Sequence, residues 1–186
     1  VDLTGEQAKD DKDLIRQYRT VAMHPEVDAA VADIVNEVIS GEDDIVELNL
    51  DEVETTDSIK KQIKEEFDGL LGMLDFKNYA HDIFRRYYVD GRVYHHLVVD
   101  PKSPQSGIQE VRPIGVDIVK KVDEYFLYSD TNQTRFASTM KGGTTVKIYP
   151  DAISYVTSGM LDSTRKKVVS YLHKALKPIN QLRMME

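Results

Sequence analysis

The stretch "HDIFRRYYVDGRVYHHLVVD", His81 to Asp100, changes its periodicity part-way along, and the fold class turns on that change. Together with Phe76 and Ala80 just upstream, Ile83, Phe84 and Tyr87 recur at the three-and-four spacing of a helix with one buried face. From Arg92 to Asp100 the residues are β-branched or aromatic with a period-two option, which predicts a strand. Asp90-Gly91 between them is a strong turn signal. The chain therefore passes from helix to strand at one glycine.

Three of the five histidines lie here, which raises the question of metal chemistry. His95 and His96 are neighbours on the predicted strand, so they point to opposite faces of the sheet and make a poor bidentate site. One is expected to pack inward and hydrogen-bond while the other faces out or meets a neighbour. His81 and Asp82 fall on the helix flank, and Asp82 lies three and four residues before Arg85 and Arg86. A surface ion pair there contributes about 0.2–0.5 kcal/mol. His173, next to Lys174 and near Arg165 to Lys167, reads as helix flank.

Upstream, the opening dozen residues are polar and acidic and read as a mobile lead-in to a helix over Leu14 to Ala22, so that 1–23 is set apart from a domain over 24–186. Pro25 suits a helix first turn, Val27, Ala30, Val31, Ile34, Val35 and Val38 mark one face, and Gly41 ends the run. GEDDIVELNLDEVETTD then surrounds Ile45, Val46, Leu48 and Leu50 with carboxylates, the pattern of a charge-protected edge strand or of a solvated acidic face. A further amphipathic helix follows, capped by Asp57 or Ser58. Its stripe is Ile59, Ile63, Phe67, Leu70, Leu71 and Leu74, and a break is expected near Asp75.

Downstream, IQEVRPI, VDEYFLYSD, TRFASTM and TTVKIYPDAISYVTSG read as strands, punctuated by Asp130, Asn132, Gly142-Gly143 and Pro150. From Ser163 a last helix is predicted, with Val168, Val169, Leu172, Ala175, Leu176, Ile179, Leu182 and Met185 on one face and a kink at Pro178. The fold class is α+β: a mixed, largely antiparallel sheet with amphipathic helices packed on one side, ending in a long kinked helix.

Composition narrows the function. The chain has 186 residues, 41% of them hydrophobic, which suits one domain with a real core. It has no cysteine, so disulfides, thiolate zinc sites and thiol catalysis are excluded and an intracellular setting is expected. No apolar run approaches the roughly 18 residues of a membrane span, and the N-terminus lacks the parts of a signal peptide. The first residue is Val and the last residues still read as helix, so both ends look cut. With 24 Lys and Arg against 32 Asp and Glu, the net charge of -8 opposes tight binding of a polyphosphate. KGGTTVK, Lys141 to Lys147, lacks the order of a phosphate-binding loop and reads as a hairpin turn. TSGMLD lacks the nucleophile elbow of a hydrolase. Arg85-Arg86 and Arg165-Lys166-Lys167 read as solvated flanks, with contact to nucleic acid or an acidic partner as the alternative. No residue is assigned a catalytic, cofactor-binding or metal-binding role.

Two resemblances remain. The doublet His81-Asp82 is similar to that of the metal phosphohydrolases named for it, which bind metal with an upstream His and a downstream Asp. Those sites sit in a helical bundle, whereas strands follow the doublet here, and the upstream His24 lies at a helix start. A metal-dependent phosphohydrolase is thus the enzymatic alternative. The second resemblance covers nearly everything after the first twenty or so residues. Its motifs are Phe84-Arg85-Arg86-x-Tyr88-Val89-Asp90, Ser158-Gly159-x-Leu161-Asp162 and Tyr171-Leu172-His173-x-Ala175-x-Lys177-Pro178, in order, with HPEVDAAVADIVNEVI upstream. This series resembles the portal vertex proteins of T-even-type tailed bacteriophages. One departure is that the family carries a longer, charged connector after Arg112-Pro113-Ile114, so a loop is expected to be missing between Ile114 and Gly115.

The resemblance implies the peripheral wing of a portal subunit, with stem, clip and crown regions following Glu186. It implies a homo-oligomeric ring, typically of twelve copies, at one capsid vertex of the virion, assembled in the host cytoplasm. Genomic double-stranded DNA passes through that ring during packaging and ejection without being held tightly by this region. The implied partners are the major capsid protein, the terminase packaging motor and the neck or connector proteins, with ATP hydrolysis left to the motor. A phage head adaptor or scaffold that is not a portal is the remaining alternative.

Overall fold

A computed structural model describes residues 11–40, 46–122, 124–128, 146–163, 165 and 167–185. Its elements are α1 (Asp11–Ala22), α2 (Pro25–Val38), α3 (Asp57–Met73), α4 (Phe76–Asp90), β1 (Arg92–Val99), β2 (Ile108–Ile114), β3 (Val119–Val122), β4 (Tyr125–Tyr128), β5 (Val146–Ile148), β6 (Ile153–Thr157) and α5 (Leu176–Met185). The fold is α+β. All the strand pairs are antiparallel, in two three-stranded sheets ordered β2-β1-β6 and β3-β4-β5 rather than in one.

The helix-to-strand switch falls where the periodicity places it. Gly91 closes α4 with φ +72°, its N–H donating to the Tyr87 carbonyl at 2.9 Å, and Arg92 begins β1. Only glycine fits: a Cβ there would meet the Val169 carbonyl oxygen at 2.8 Å and Ser170 backbone atoms at 2.9 Å.

Two cores result, and α1 joins them. Leu14, Tyr18, Val21 and Ala22 pack with Val27, Val31 and Val35 of α2, Ala80 and Val89 of α4, and Leu172 and Leu176. Ile15, one residue round the same helix, enters the second core with Tyr94, Val116, Val119, Phe126 and Ile153. From Asp11 onward the segment read as a lead-in is therefore part of the interior, and residue 23 lies between two helices that share a core. Residues 1–10 are outside the described residues.

Residues 46–56 form bends and turns and no strand, with Glu47, Asp51, Glu52 and Glu54 exposed, which agrees with the solvated acidic face rather than the edge strand. The structure corrects three expectations. VDEYFLYSD is not one strand: β3 ends at Val122 and β4 begins at Tyr125, while Val119 to Lys121 belong to the sheet. TTVKIYPDAISYVTSG divides into β5 and β6 because Pro150, which lacks an N–H, starts a 3-10 turn over Pro150–Ala152. Finally, no helix starts at Ser163. Leu161 bridges Val168, a 3-10 turn occupies Tyr171–Ala175, and α5 starts at Leu176. Pro178 then sits in the first turn, where its missing N–H costs nothing, and it causes no kink. The expected strand TRFASTM and the Gly142-Gly143 turn fall outside the described residues.

Candidate functional site

The densest polar network gathers around Asp90-Gly91-Arg92. Asp90 is buried at 4% exposure and accepts two hydrogen bonds from Arg19 of α1, from Nε at 2.9 Å and Nη2 at 2.8 Å. This paired geometry is the strong form of a guanidinium–carboxylate contact. Donating to the Asp90 carboxylate raises the Arg19 pKa against the opposing effect of burial. On the other side of the glycine, Arg92, 6% exposed, donates to Asp11 at 3.0 Å and to the Val168 carbonyl at 2.6 Å. Burial works to lower its pKa, and the charges of Asp11 and Tyr94 outweigh that and raise it. The two residues flanking the turn thus hold both ends of α1.

The three motif segments meet at the same place. Ser158 N–H donates to the Gly91 carbonyl at 2.8 Å, and Ser158 Oγ donates to the Val169 carbonyl at 2.6 Å. Ser170 Oγ donates to the Tyr88 carbonyl at 3.0 Å and accepts from the Leu172 N–H at 2.9 Å. The Tyr171 ring stacks on Tyr88 with centroids 4.8 Å apart, and its hydroxyl lies 3.2 Å from that of Tyr87. The Tyr18 hydroxyl meets His173 Nδ1 at 2.8 Å. A loop, a helix end and a 3-10 turn close on each other through backbone groups.

Next to this network a cleft of about 470 Å³ lies between α1, α4 and one face of the β2-β1-β6 sheet. It is lined by Arg19, Arg85, Arg86, Asp90, Arg92 and His95, among others. Each of the four arginines is paired with a carboxylate: Arg19 with Asp90, Arg85 with Asp28, Arg86 with Asp82 and Arg92 with Asp11. Three of these pairs join one element to another, and Arg86–Asp82 lies within α4, so each cation already has a carboxylate partner.

The histidines are scattered by the fold. His81 is exposed on α4, and its neighbour Asp82 pairs with Arg86 at 2.8 Å, the four-residue spacing read from the sequence. His24 precedes α2, with its buried Nδ1 lacking a hydrogen-bond partner among the described residues. His95 lies opposite Pro113 and Ser154, and His96 opposite Arg112 and Ile153, so they occupy the two faces of β1. Among the described residues, no three His, Cys, Asp or Glu side chains are grouped as metal ligands. Sequence reading missed Asp11, Arg19 and Arg92. Their partners are 71 to 81 positions away, and the visible signal was the charge on each side of Gly91. Lys141 to Thr145 and Lys166 lie outside the described residues. No helix among the described residues is long and apolar enough to cross a membrane.

The sequence model of one family, the bacteriophage T4-like portal protein (Gp20), matches residues 11–186. The chain belongs to that T4-like portal family. Similar proteins include the portal protein of Vibrio phage KVP40, 34% identical over 199 residues that cover 94% of this chain and 38% of that protein. The portal protein of Salmonella phage ViI is 30% identical over 201 residues, covering 92% of this chain and 36% of its own length. The chain thus spans well under half the length of these two portal proteins. Both alignments are longer than the 186-residue chain itself, so both relatives carry insertions relative to it. Within this T4-like portal chain, the three quoted motifs form the interlock around Gly91.

Proposed function

We propose that this chain is the wing-type region of a portal subunit, a structural component of a phage virion rather than an enzyme. The observation that carries this is the family match over 11–186, which begins where α1 begins and takes in the whole interlock. In this reading the subunit is one of about twelve in a closed ring, the geometry that repeated head-to-tail contacts generate. The ring stands at one capsid vertex, built in the host cytoplasm and retained in the virion. It passes double-stranded DNA in during packaging and out during ejection, and it docks the packaging motor, the neck proteins and the major capsid protein.

The charge supports a conduit. A net charge of -8 removes the counterion-release gain that makes basic proteins cling to duplex DNA, so cargo slides past rather than sticking. The pairs Arg19–Asp90, which ties α1 to α4, and Arg92–Asp11, which ties β1 to α1, support a rigid part. In this reading the residues that the relatives carry in addition follow Ile114, at the short link between β2 and β3, where a charged connector would leave both sheets intact.

Mass photometry and electron microscopy of the full-length subunit test the reading. A ring of one defined stoichiometry is expected. A stable monomer at high concentration overturns it.

A further inference from the structure

Two surfaces of opposite charge are left without ion-pair partners. On the outer face of β3-β4-β5, Lys120 and Lys147 lie directly across from Leu127, one on each side, in one row of side chains. Lys147 sits over the Tyr125 ring at 4.0 Å, whereas Lys121, opposite the buried Phe126, belongs to the other face and lies over the Tyr155 ring at 5.2 Å. Lys120 and Lys121 also border a pocket of about 360 Å³ whose one carboxylate, Asp11, is engaged by Arg92. None of Lys120, Lys121 and Lys147 forms an ion pair among the described residues.

The complement lies between α2 and α3. No Lys or Arg occurs from Gly41 to Ser58, and Glu47, Asp51, Glu52, Glu54 and Asp57 are all exposed and unpaired among the described residues. Val46 and Val53 stand among them, each 41% exposed.

We propose that the acidic segment 46–57 of one copy docks on the lysine row formed by Lys120 and Lys147 of the next copy. The inference rests on the ring reading above and names the contact that orients one subunit on another. Two different patches that complement each other form a heterologous contact, which repeats in one direction and closes into a ring when the rotation allows. Opposite charges steer and register such an approach, while Val53 and Val46 meet Leu127 and Tyr125. A duplex of DNA suits the lysines less well. The chain as a whole carries a net charge of -8, and that field opposes a long polyanion more than a short acidic segment.

Charge reversal in the full-length subunit tests the contact. K120E/K147E and E52K/E54K are each expected to raise the concentration for half-assembly by about tenfold, with greater sensitivity to salt. The chain carrying all four changes regains the opposite charges and is expected to return to within about threefold of the wild type. All four positions are exposed, and a far-UV dichroism check confirms that the fold is kept. No change in either double variant, or no recovery in the quadruple one, overturns the proposal. Carbodiimide cross-linking of a mixture of heavy- and light-isotope protein provides a second readout. Lysine–carboxylate amides joining heavy to light peptides are expected, and amides confined to one copy overturn the proposal. Loss of duplex-DNA binding by K120E/K147E with assembly unchanged likewise overturns it and assigns the lysines to nucleic acid. A wild-type subunit that forms no ring refutes the ring reading, and the heavy–light cross-links still decide the contact.

Discussion

Gly91 joins α4 to β1 at φ +72°, where a Cβ would meet Val169 and Ser170. It ends α4, lets Ser158 and Ser170 approach the backbone, and separates the buried charges Asp90 and Arg92. Gly91→Ala places a Cβ in the left-handed region and against Val169 and Ser170. It is expected to destabilise the chain by about 2–4 kcal/mol, read as a lower urea midpoint at unchanged slope. His95 makes a second prediction. Burial lowers its pKa from the ordinary 6.5. As pH falls, the unfolded chain takes up this proton first, so the stability conferred by neutral His95 is complete above 6.5 and declines as pH drops towards the lower folded value. His95→Gln is expected to flatten the fall in urea midpoint between about pH 7 and 5. An equally steep fall in the variant assigns the acid sensitivity to other groups.

The apolar stripe of α2 is buried inside the chain, whereas that of α3 is only partly covered. In α2 the residues four apart, Val27, Val31 and Val35, are buried. In α3 none is buried, and Ile59, Ile63 and Leu70 are exposed at 45%, 38% and 36%, although the helix touches α4 and β2. Periodicity shows that a helix has an apolar face, and it is silent on what covers that face. Ile63→Ser is therefore expected to change the stability of the isolated chain by less than about 0.5 kcal/mol. Val31→Ala, which opens a cavity between α1 and α4, is expected to cost about 1–3 kcal/mol. Amide hydrogen exchange gives the matching order, with α3 exchanging well before α1 and α2.

For the whole molecule the question is whether the two cores unfold together. Each holds a buried tyrosine with a pKa raised from 10.0 to about 12: Tyr18 in the helical core, chiefly by burial, and Tyr94 in the sheet core, by burial and then by the neighbouring Tyr155. A raised acid stays protonated in the folded state, so this stabilisation is full below pH 10 and is lost as pH rises through about 12. Because α1 feeds both cores, the two tyrosines are expected to ionise in one late step that coincides with loss of far-UV dichroism. Tyrosinate absorbance followed alongside the dichroism checks this. Two separate late steps show that the cores open independently.

Local pattern was enough for much of this protein. The order of helices and strands, the switch at Asp90-Gly91, the Asp82–Arg86 pair, the opposite faces of His95 and His96 and the portal resemblance all rest on neighbours within a few positions or on collinear motifs. The sequence also proved misleading where regular pattern met a broken backbone. Val168, Val169 and Leu172 keep helical spacing, yet Val168 bridges Leu161, and the helix begins only at Leu176, a start that leaves Pro178 in the first turn. Only the tertiary structure decided that α1 lies between two cores, that Arg19 and Arg92 neutralise Asp90 and Asp11, and that three motifs far apart in the chain close on one glycine. Such contacts join residues 70 to 155 positions apart, where spacing carries no information, and they form because buried charges and backbone groups must find partners within the interior that folding creates.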